Sequence, residues 1–211
     1  MNVFAVEPEP ITIGLIGDST VADTYGWGPA FATRFIQRAT VLNFAKNGAT
    51  LQSLSGKLDE LLELHPDIVL IQFGHNDQKR YGPDAYLEKL ESYIERVLRA
   101  NAKPVVLSSV TRRRFGDDGK ILFAEQGLKA NLSVYAKTAR EAARKHGVPF
   151  IDLHSISVEH HNRIGREASA AYDFNENDKT HFSVYGAKAT ADLILQELKV
   201  ATPELAPYLT R

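Results

Sequence analysis

A serine, a histidine and an aspartate can together cleave an ester, and this chain holds all three in suggestive surroundings. Apolar Ile13, Leu15 and Ile16 run into Gly17-Asp18-Ser19-Thr20. That pattern ends a hydrophobic strand in a turn that presents a hydroxyl. A serine hydroxyl alone is a poor nucleophile at neutral pH. It needs a histidine to take its proton and a carboxylate to orient that histidine. A Ser/Thr helix cap after a turn is the bland account of the same residues.

Seven histidines compete for the role of base. In the stretch NDKTHFSVYGAKA, Asp178 and His181 are three residues apart, which on a single turn brings carboxylate and imidazole together. Asp152 and His154 form a rival pair, as i and i+2 residues on one face of a strand. Spacing alone does not choose between them. His160-His161 read as solvated residues of a helix or loop, and His65 and His146 as helix-end residues.

Ester hydrolysis also needs donors for the oxyanion, each worth on the order of 10²–10³ in rate. The candidates are the backbone N–H of Ser19, the N–H of Gly48 and the side-chain amide of Asn76. Without a Cβ, Gly48 allows close approach of a substrate. Taken singly, Asn47-Gly48 reads as a simple turn and Asn76 as an Asx-turn.

These residues need elements to position them. Strands are expected at Ile11–Ile16, Thr40–Phe44, Asp67–Phe73, Pro104–Val110 and Val148–Leu153, where short, β-branched apolar runs suit burial on both faces. Helical patterns lie between them, at about Gly28–Arg38 (opened by Pro29), Thr50–Leu64, Asp84–Ala100, Glu125–His146 (stopped by Gly147) and Ser183–Lys199. Such alternation implies a parallel sheet with helices on both faces and a ligand site at the carboxyl ends of the strands. The loops there carry Gly17–Thr20, Asn47–Ala49, Gly74–Asp77, Thr111–Arg114 and His154.

Composition narrows the function further. The length of 211 residues suits one domain over 1–211, and the 44% hydrophobic and 24% charged fractions are ordinary for a globular protein. A net charge of −1 gives no reason to expect nucleic acid or an anionic membrane as partner. With no cysteine, disulfides, thiolate chemistry and cysteine metal sites are excluded. No apolar run approaches the length of a membrane span. The start, MNVFAVEPEP, lacks a basic n-region and a long apolar h-region. It leaves open a cytoplasmic protein and a secreted or periplasmic one whose signal was removed. The oligomeric state is not legible.

Gly17-Asp18-Ser19, Gly48, Gly74-His75-Asn76-Asp77 and Asp178-x-x-His181 resemble, in order, the four blocks of the SGNH (GDSL-type) hydrolases. The resemblance implies a three-layer α/β/α sandwich on a five-stranded parallel, flavodoxin-like sheet. It implies Ser19 as nucleophile, Asp178 and His181 as its partners, and an oxyanion hole from Ser19, Gly48 and Asn76. It thereby sets aside Asp152 and His154. GDST, GWG at Gly26–Gly28, NGAT, FGHND and THFSVYGA are similar to the rhamnogalacturonan acetylesterase group. That likeness implies a serine esterase of acetylated pectic polysaccharide or oligosaccharide. A lipase- or thioesterase-like acyl hydrolase, and a carbohydrate-binding module with a dead site, are the alternatives.

Trp27, the only tryptophan, reads equally as core packing and as a sugar-stacking wall. Arg112-Arg113-Arg114 follows the fourth strand. The run reads as a solvated loop or as a grip on galacturonate carboxylates, with Lys46 a weaker candidate. GDST and GHND faintly echo binuclear metallophosphoesterase motifs, but position 21 is Val21 where an aspartate is required, and no His-Glu-x-x-His spacing exists. No metal and no cofactor are expected. Esterase activity should therefore be unchanged after dialysis against EDTA; loss in the chelator and recovery with a divalent cation would overturn this expectation.

Overall fold

The computed structural model describes residues 8–123 and 128–210. Five parallel strands form the central sheet: β1 (Ile11–Gly17), β2 (Ala39–Asn43), β3 (Ile68–Gln72), β4 (Lys103–Leu107) and β5 (Phe150–Ile151), in the order β2-β1-β3-β4-β5. This is the flavodoxin-like order, which reverses direction at β1 and opens a crevice there. The helices are α1 (Gly28–Ala32), α2 (Ser55–Leu62), α3 (Asp77–Arg80), α4 (Pro83–Arg99), α5 (Leu132–His146), α6 (Leu153–Ser169) and α7 (Val184–Ala201). A two-stranded antiparallel ribbon, β6 (Asp173–Asn175) and β7 (Asp178–Phe182), precedes α7. Among the described residues no helix is long and apolar enough to cross a membrane.

Strand alternation divides the core in two. Ile13, Leu15, Leu70, Val105 and Leu107 pack on one face with Phe31 of α1 and Ile194 and Leu198 of α7. Ile16, Val69, Ile71 and Val106 pack on the other with Leu58, Leu61, Tyr86, Ile94, Val97 and Ala139. Both faces of β3 are buried along its whole length, hence its unbroken hydrophobicity. In α4, Tyr86, Leu90, Tyr93, Ile94 and Val97 recur at helical spacing and form the buried stripe.

Local polar chemistry moved several boundaries from their sequence expectation. The helix opened by Pro29 stops at Ala32, short of Arg38, because Phe35 bridges to Leu209 and the Ile36 N–H donates to the Tyr208 carbonyl. α2 begins at Ser55 because Thr50 and Ser53 exchange backbone–hydroxyl hydrogen bonds at 2.9 and 3.1 Å and hold a turn. The described part of the fourth connection enters helix only at Leu132; residues 125–127 of the expected helix lie outside the described residues. β5 is two residues long, not six, since only Phe150 and Ile151 pair with β4.

The chain leaves β5 directly into α6, a helix the apolar pattern did not announce. Asp152 caps it: its Oδ1 accepts from the Ser155 N–H at 3.2 Å, and Ser108 Oγ donates to the same oxygen at 3.1 Å. Replacing an N-cap aspartate by alanine costs about 0.5–2 kcal/mol. Asp152→Ala should lower the unfolding free energy by that amount in urea denaturation; an unchanged midpoint would remove this role.

Candidate active site

Four loops at the carboxyl edge of the sheet converge with the β6–β7 ribbon. Ser19, directly after β1, is 6% exposed. His181 Nε2 lies 2.7 Å from Ser19 Oγ, and His181 Nδ1 lies 2.7 Å from Asp178 Oδ2. Asp178 Oδ1 accepts the N–H groups of Thr180 and His181, both at 3.0 Å. Burial raises the Asp178 carboxyl. The bonds from the His181 backbone and ring and from Thr180 more than offset that, leaving the group below its ordinary value and ionised. The expected single turn is in fact the start of β7, where the Asp178 carboxylate folds the next residues back on itself. Ser183 then caps α7 by accepting from the Gly186 N–H at 3.0 Å.

The ribbon is anchored on both sides. The Phe182 N–H donates to the Tyr25 carbonyl at 3.1 Å, and the Arg113 N–H to the Lys179 carbonyl at 2.9 Å. Arg113 is buried; its Nε donates to Asp173 at 2.6 Å and its Nη2 to the His181 carbonyl at 2.5 Å. This arginine clamps the two strands together and does not line the cavity at Ser19. That corrects its expected place in a substrate-binding run: the loop after β4 turns Arg113 inward and leaves Arg114 outside.

A buried polar chain supports Ser19 from below. Trp27 Nε1 donates to Gln72 at 2.9 Å, Gln72 to Thr20 Oγ1 at 2.5 Å, and the Thr20 hydroxyl and N–H to Asp18 Oδ1 at 2.8 and 2.9 Å. Trp27 is completely buried, so it has no surface for stacking a sugar; the packing reading holds. Gly17 permits the close approach of β1 and β3 here, since a Cβ would lie 2.5 Å from the Gln72 carbonyl oxygen.

Gly48 has φ +74°, and a Cβ there would meet no atom of the protein within 4 Å. The left-handed conformation, rather than crowding within the fold, is what favours glycine. Asn76 Nδ2 donates to the Ala49 carbonyl at 3.0 Å, which sets its amide beside the Gly48 loop with a second N–H to spare. Asp77 ties the same two loops, its Oδ1 accepting from the Leu51 N–H at 2.9 Å and from the Tyr81 hydroxyl.

Ser19, Gly48, Asn76 and His181 line one cavity of about 370 Å³. Lys79, Arg112 and Arg114 line it too, whereas Lys46 does not. Arg112 is buried; in the amide orientation that satisfies both groups, Gln78 accepts its two terminal nitrogens at 2.8 and 2.9 Å. Two wall residues, Tyr25 and Lys79, lie outside every motif read from the sequence. Tyr25 packs its ring 5.0 Å from that of His181, and His75 is buried, held neutral well below its ordinary range by burial and then by Arg112. Only the place of Tyr25, six residues past Ser19, could have flagged it.

The rival pair does not assemble. Asp152 is occupied with its cap and with Arg140. His154 is buried beside Phe123 and pushed below its ordinary range by burial. His161, expected in solvent, is also buried, bonds Ser169 Oγ at 2.9 Å and is pushed down to about 3 by burial. No group of three or more metal-ligating side chains clusters among the described residues.

Burial pushes the Asp77 carboxyl from 3.8 up to about 6. A carboxyl raised in the folded state binds its proton more tightly there than in the unfolded chain, so it costs stability as pH rises through that window. Asn in its place keeps an acceptor for Leu51. Asp77→Asn should therefore gain stability relative to wild type between about pH 4 and about pH 7, by up to roughly 3 kcal/mol. Urea unfolding at the two pH values measures it; parallel curves would refute it.

Residues 15–189 match the model of the GDSL-like Lipase/Acylhydrolase family. The chain is 33% identical to the rhamnogalacturonan acetylesterase RhgT of Bacillus subtilis, over 90% of each chain. It is 29% identical to the probable rhamnogalacturonan acetylesterase YesY of the same species, over 89% of this chain and 92% of that one. The fold is similar to that of Bacillus subtilis YxiM, with a TM-score of 0.79 and 22% identity; the alignment covers 94% of this chain but only 58% of that protein. It is also similar to Axe2, an acetylxylan esterase from Geobacillus stearothermophilus, with a TM-score of 0.69 and 18% identity over 90% and 94% of the two chains. The matched span takes in Ser19, Gly48, Asn76, Asp178 and His181, and the chain belongs to the GDSL-like lipase/acylhydrolase family of carboxylic ester hydrolases.

Proposed function

We propose that this enzyme removes O-acetyl groups from acetylated pectic rhamnogalacturonan or a related carbohydrate, through Ser19, His181 and Asp178. The observation that carries the reading is the pair of 2.7 Å hydrogen bonds linking Ser19 to His181 and His181 to Asp178. Ser19 Oγ attacks the acetyl carbonyl carbon as its proton passes to His181 Nε2. Asp178, ionised, holds the imidazole in the tautomer with a free Nε2 lone pair and stabilises the imidazolium. The N–H groups of Ser19 and Gly48 and the free amide hydrogen of Asn76 receive the oxyanion. The sugar alkoxide departs with the proton from His181. Water then attacks the acetyl-serine carbonyl carbon, giving a proton to the same nitrogen, and as the ester bond to Ser19 Oγ breaks His181 returns that proton to Oγ and acetate leaves.

The names of the two curated relatives favour a pectic substrate. So does the cationic wall of Lys79, Arg112 and Arg114, which suits a uronate carboxylate. One observation favours a longer acyl chain instead: Tyr25 also borders an apolar groove of about 280 Å³ with Pro29, Ala30, Phe182, Val184 and Ala187. A series of p-nitrophenyl esters separates the two readings. An acetylesterase should lose activity beyond about C4, and a rising rate with chain length would select the lipase-like alternative.

Acetate release from acetylated rhamnogalacturonan, xylan and amino sugars tests the substrate, with preference for the first expected. Ser19→Ala should fall to the residual of about 10³–10⁴ over the uncatalysed rate that binding and the oxyanion hole supply. His181→Ala should be as damaging, and the double variant little worse, because the members act as a unit. Near-normal turnover in a folded Ser19→Ala protein, or an active His181→Ala beside an inactive His154→Ala, would end the mechanism.

A further inference from the structure

Arg114 is a wall of two cavities. One holds Ser19; the other, of about 410 Å³, is lined also by Phe115, Leu122, Arg166, Asp173 and Lys179. The second cavity combines two chemistries. Phe115 is half-buried and Leu122 is exposed, supplying an apolar surface at its mouth. Around them stand Arg113, Arg114, Arg166 and Lys179 against the single carboxylate of Asp173. That carboxylate is already taken, by Arg113 and by Lys179, both at 2.6 Å. Arg166 lies over Phe115, its guanidinium carbon 5.9 Å from the ring centroid, and donates to the Gly116 carbonyl at 2.7 Å. Among the described residues neither Arg114 nor Arg166 is paired with a carboxylate, and Asp118 of the neighbouring loop turns to the Lys120 N–H at 3.0 Å. Among the described residues that line this cavity, four cations thus face one carboxylate, on a chain of net charge −1.

We propose that this second cavity is a subsite for a carboxylated sugar of the same polysaccharide chain whose acetylated unit sits at Ser19. The proposal rests on the acidic-polysaccharide reading given above. The less polar face of a uronate ring matches Phe115 and Leu122, and its carboxylate matches Arg114 and Arg166, whose planar forks suit bidentate pairing. Because Arg114 belongs to both cavities, a chain that fills one is led into the other. The subsite makes the enzyme a reader of an acidic polymer rather than of a lone acetyl-sugar.

The test is direct binding, independent of turnover. Unacetylated trigalacturonate, galacturonate and neutral xylotriose are titrated by calorimetry into Ser19→Ala and into Ser19→Ala/Arg166→Glu, at low and high salt. Trigalacturonate should bind Ser19→Ala more tightly than galacturonate, weaken with salt, and lose affinity about tenfold in the charge-reversed protein. Arg166→Gln, with its melting temperature measured, guards against a folding defect and should show a smaller loss. Equal affinity of trigalacturonate for all three proteins, or equal binding of xylotriose, would overturn the subsite. If acetate is released only from neutral glycans while trigalacturonate binding still depends on Arg166, the cavity binds a carboxylated sugar that is not part of the substrate chain, and the pectic reading and the proposal fall together. If acetate comes from pectin with no Arg166-dependent binding, the subsite falls alone.

Discussion

The hydrogen bond between Ser19 Oγ and His181 Nε2 joins residues 162 positions apart, and the rest of the structure serves to make it. One partner follows the end of a central strand and is buried. The other sits on a two-stranded ribbon outside the sheet, and such a ribbon is marginal by itself. The fold therefore secures the ribbon to each side of the serine loop: to the Tyr25 carbonyl through Phe182, and to the loop after β4 through Arg113.

Among the described residues, Arg113 and Asp173 form the most deeply buried ion pair, with side chains 1% and 5% exposed. Burial of such a pair rarely stabilises a fold more than apolar packing would. Its value here is geometric. The guanidinium holds the Asp173 carboxylate and the His181 carbonyl at once, so it sets the distance between β6 and β7 and the height of the imidazole above Ser19. Burial lowers the pKa of Arg113 and Asp173 raises it again, which keeps the charge within the pair.

The floor of the site is built of polar groups that face one another rather than solvent. Asp18 is completely buried, and burial raises its carboxyl despite the donors of Thr20. Asp77 is in the same position one strand away. Asp77 accepts the Leu51 N–H of the adjacent loop, and Asp18 accepts the Thr20 N–H of its own loop together with a backbone hydrogen bond from His75 after β3. The loops that present Ser19, Gly48 and Asn76 are thereby cross-tied below the surface, and preorganised donors of this kind lose no reorganisation energy during reaction.

The linear order of residues was enough for the sheet, and with the family resemblance it nominated the candidate site. The central strands β1, β3 and β4 read as apolar runs because their burial on both faces leaves little room for polar alternation, while β2 at the edge is only half-buried. Ser19, Gly48, Asn76, Asp178 and His181 stood out only through the resemblance of four ordered blocks to the SGNH hydrolases, since taken singly each is an ordinary loop residue. The ribbon and α6 were not legible, since their short or mixed patterns are stabilised by Arg113 and Ser108 reaching across from other elements, the latter to the cap residue Asp152. Tertiary structure alone decided between members of one run: Arg112 and Arg114 reach the cavity while Arg113 is drawn into the fold, and Trp27 goes to the core. Adjacent residues on an irregular loop point in directions that no periodicity encodes, so their neighbours exist only once the chain has closed around them.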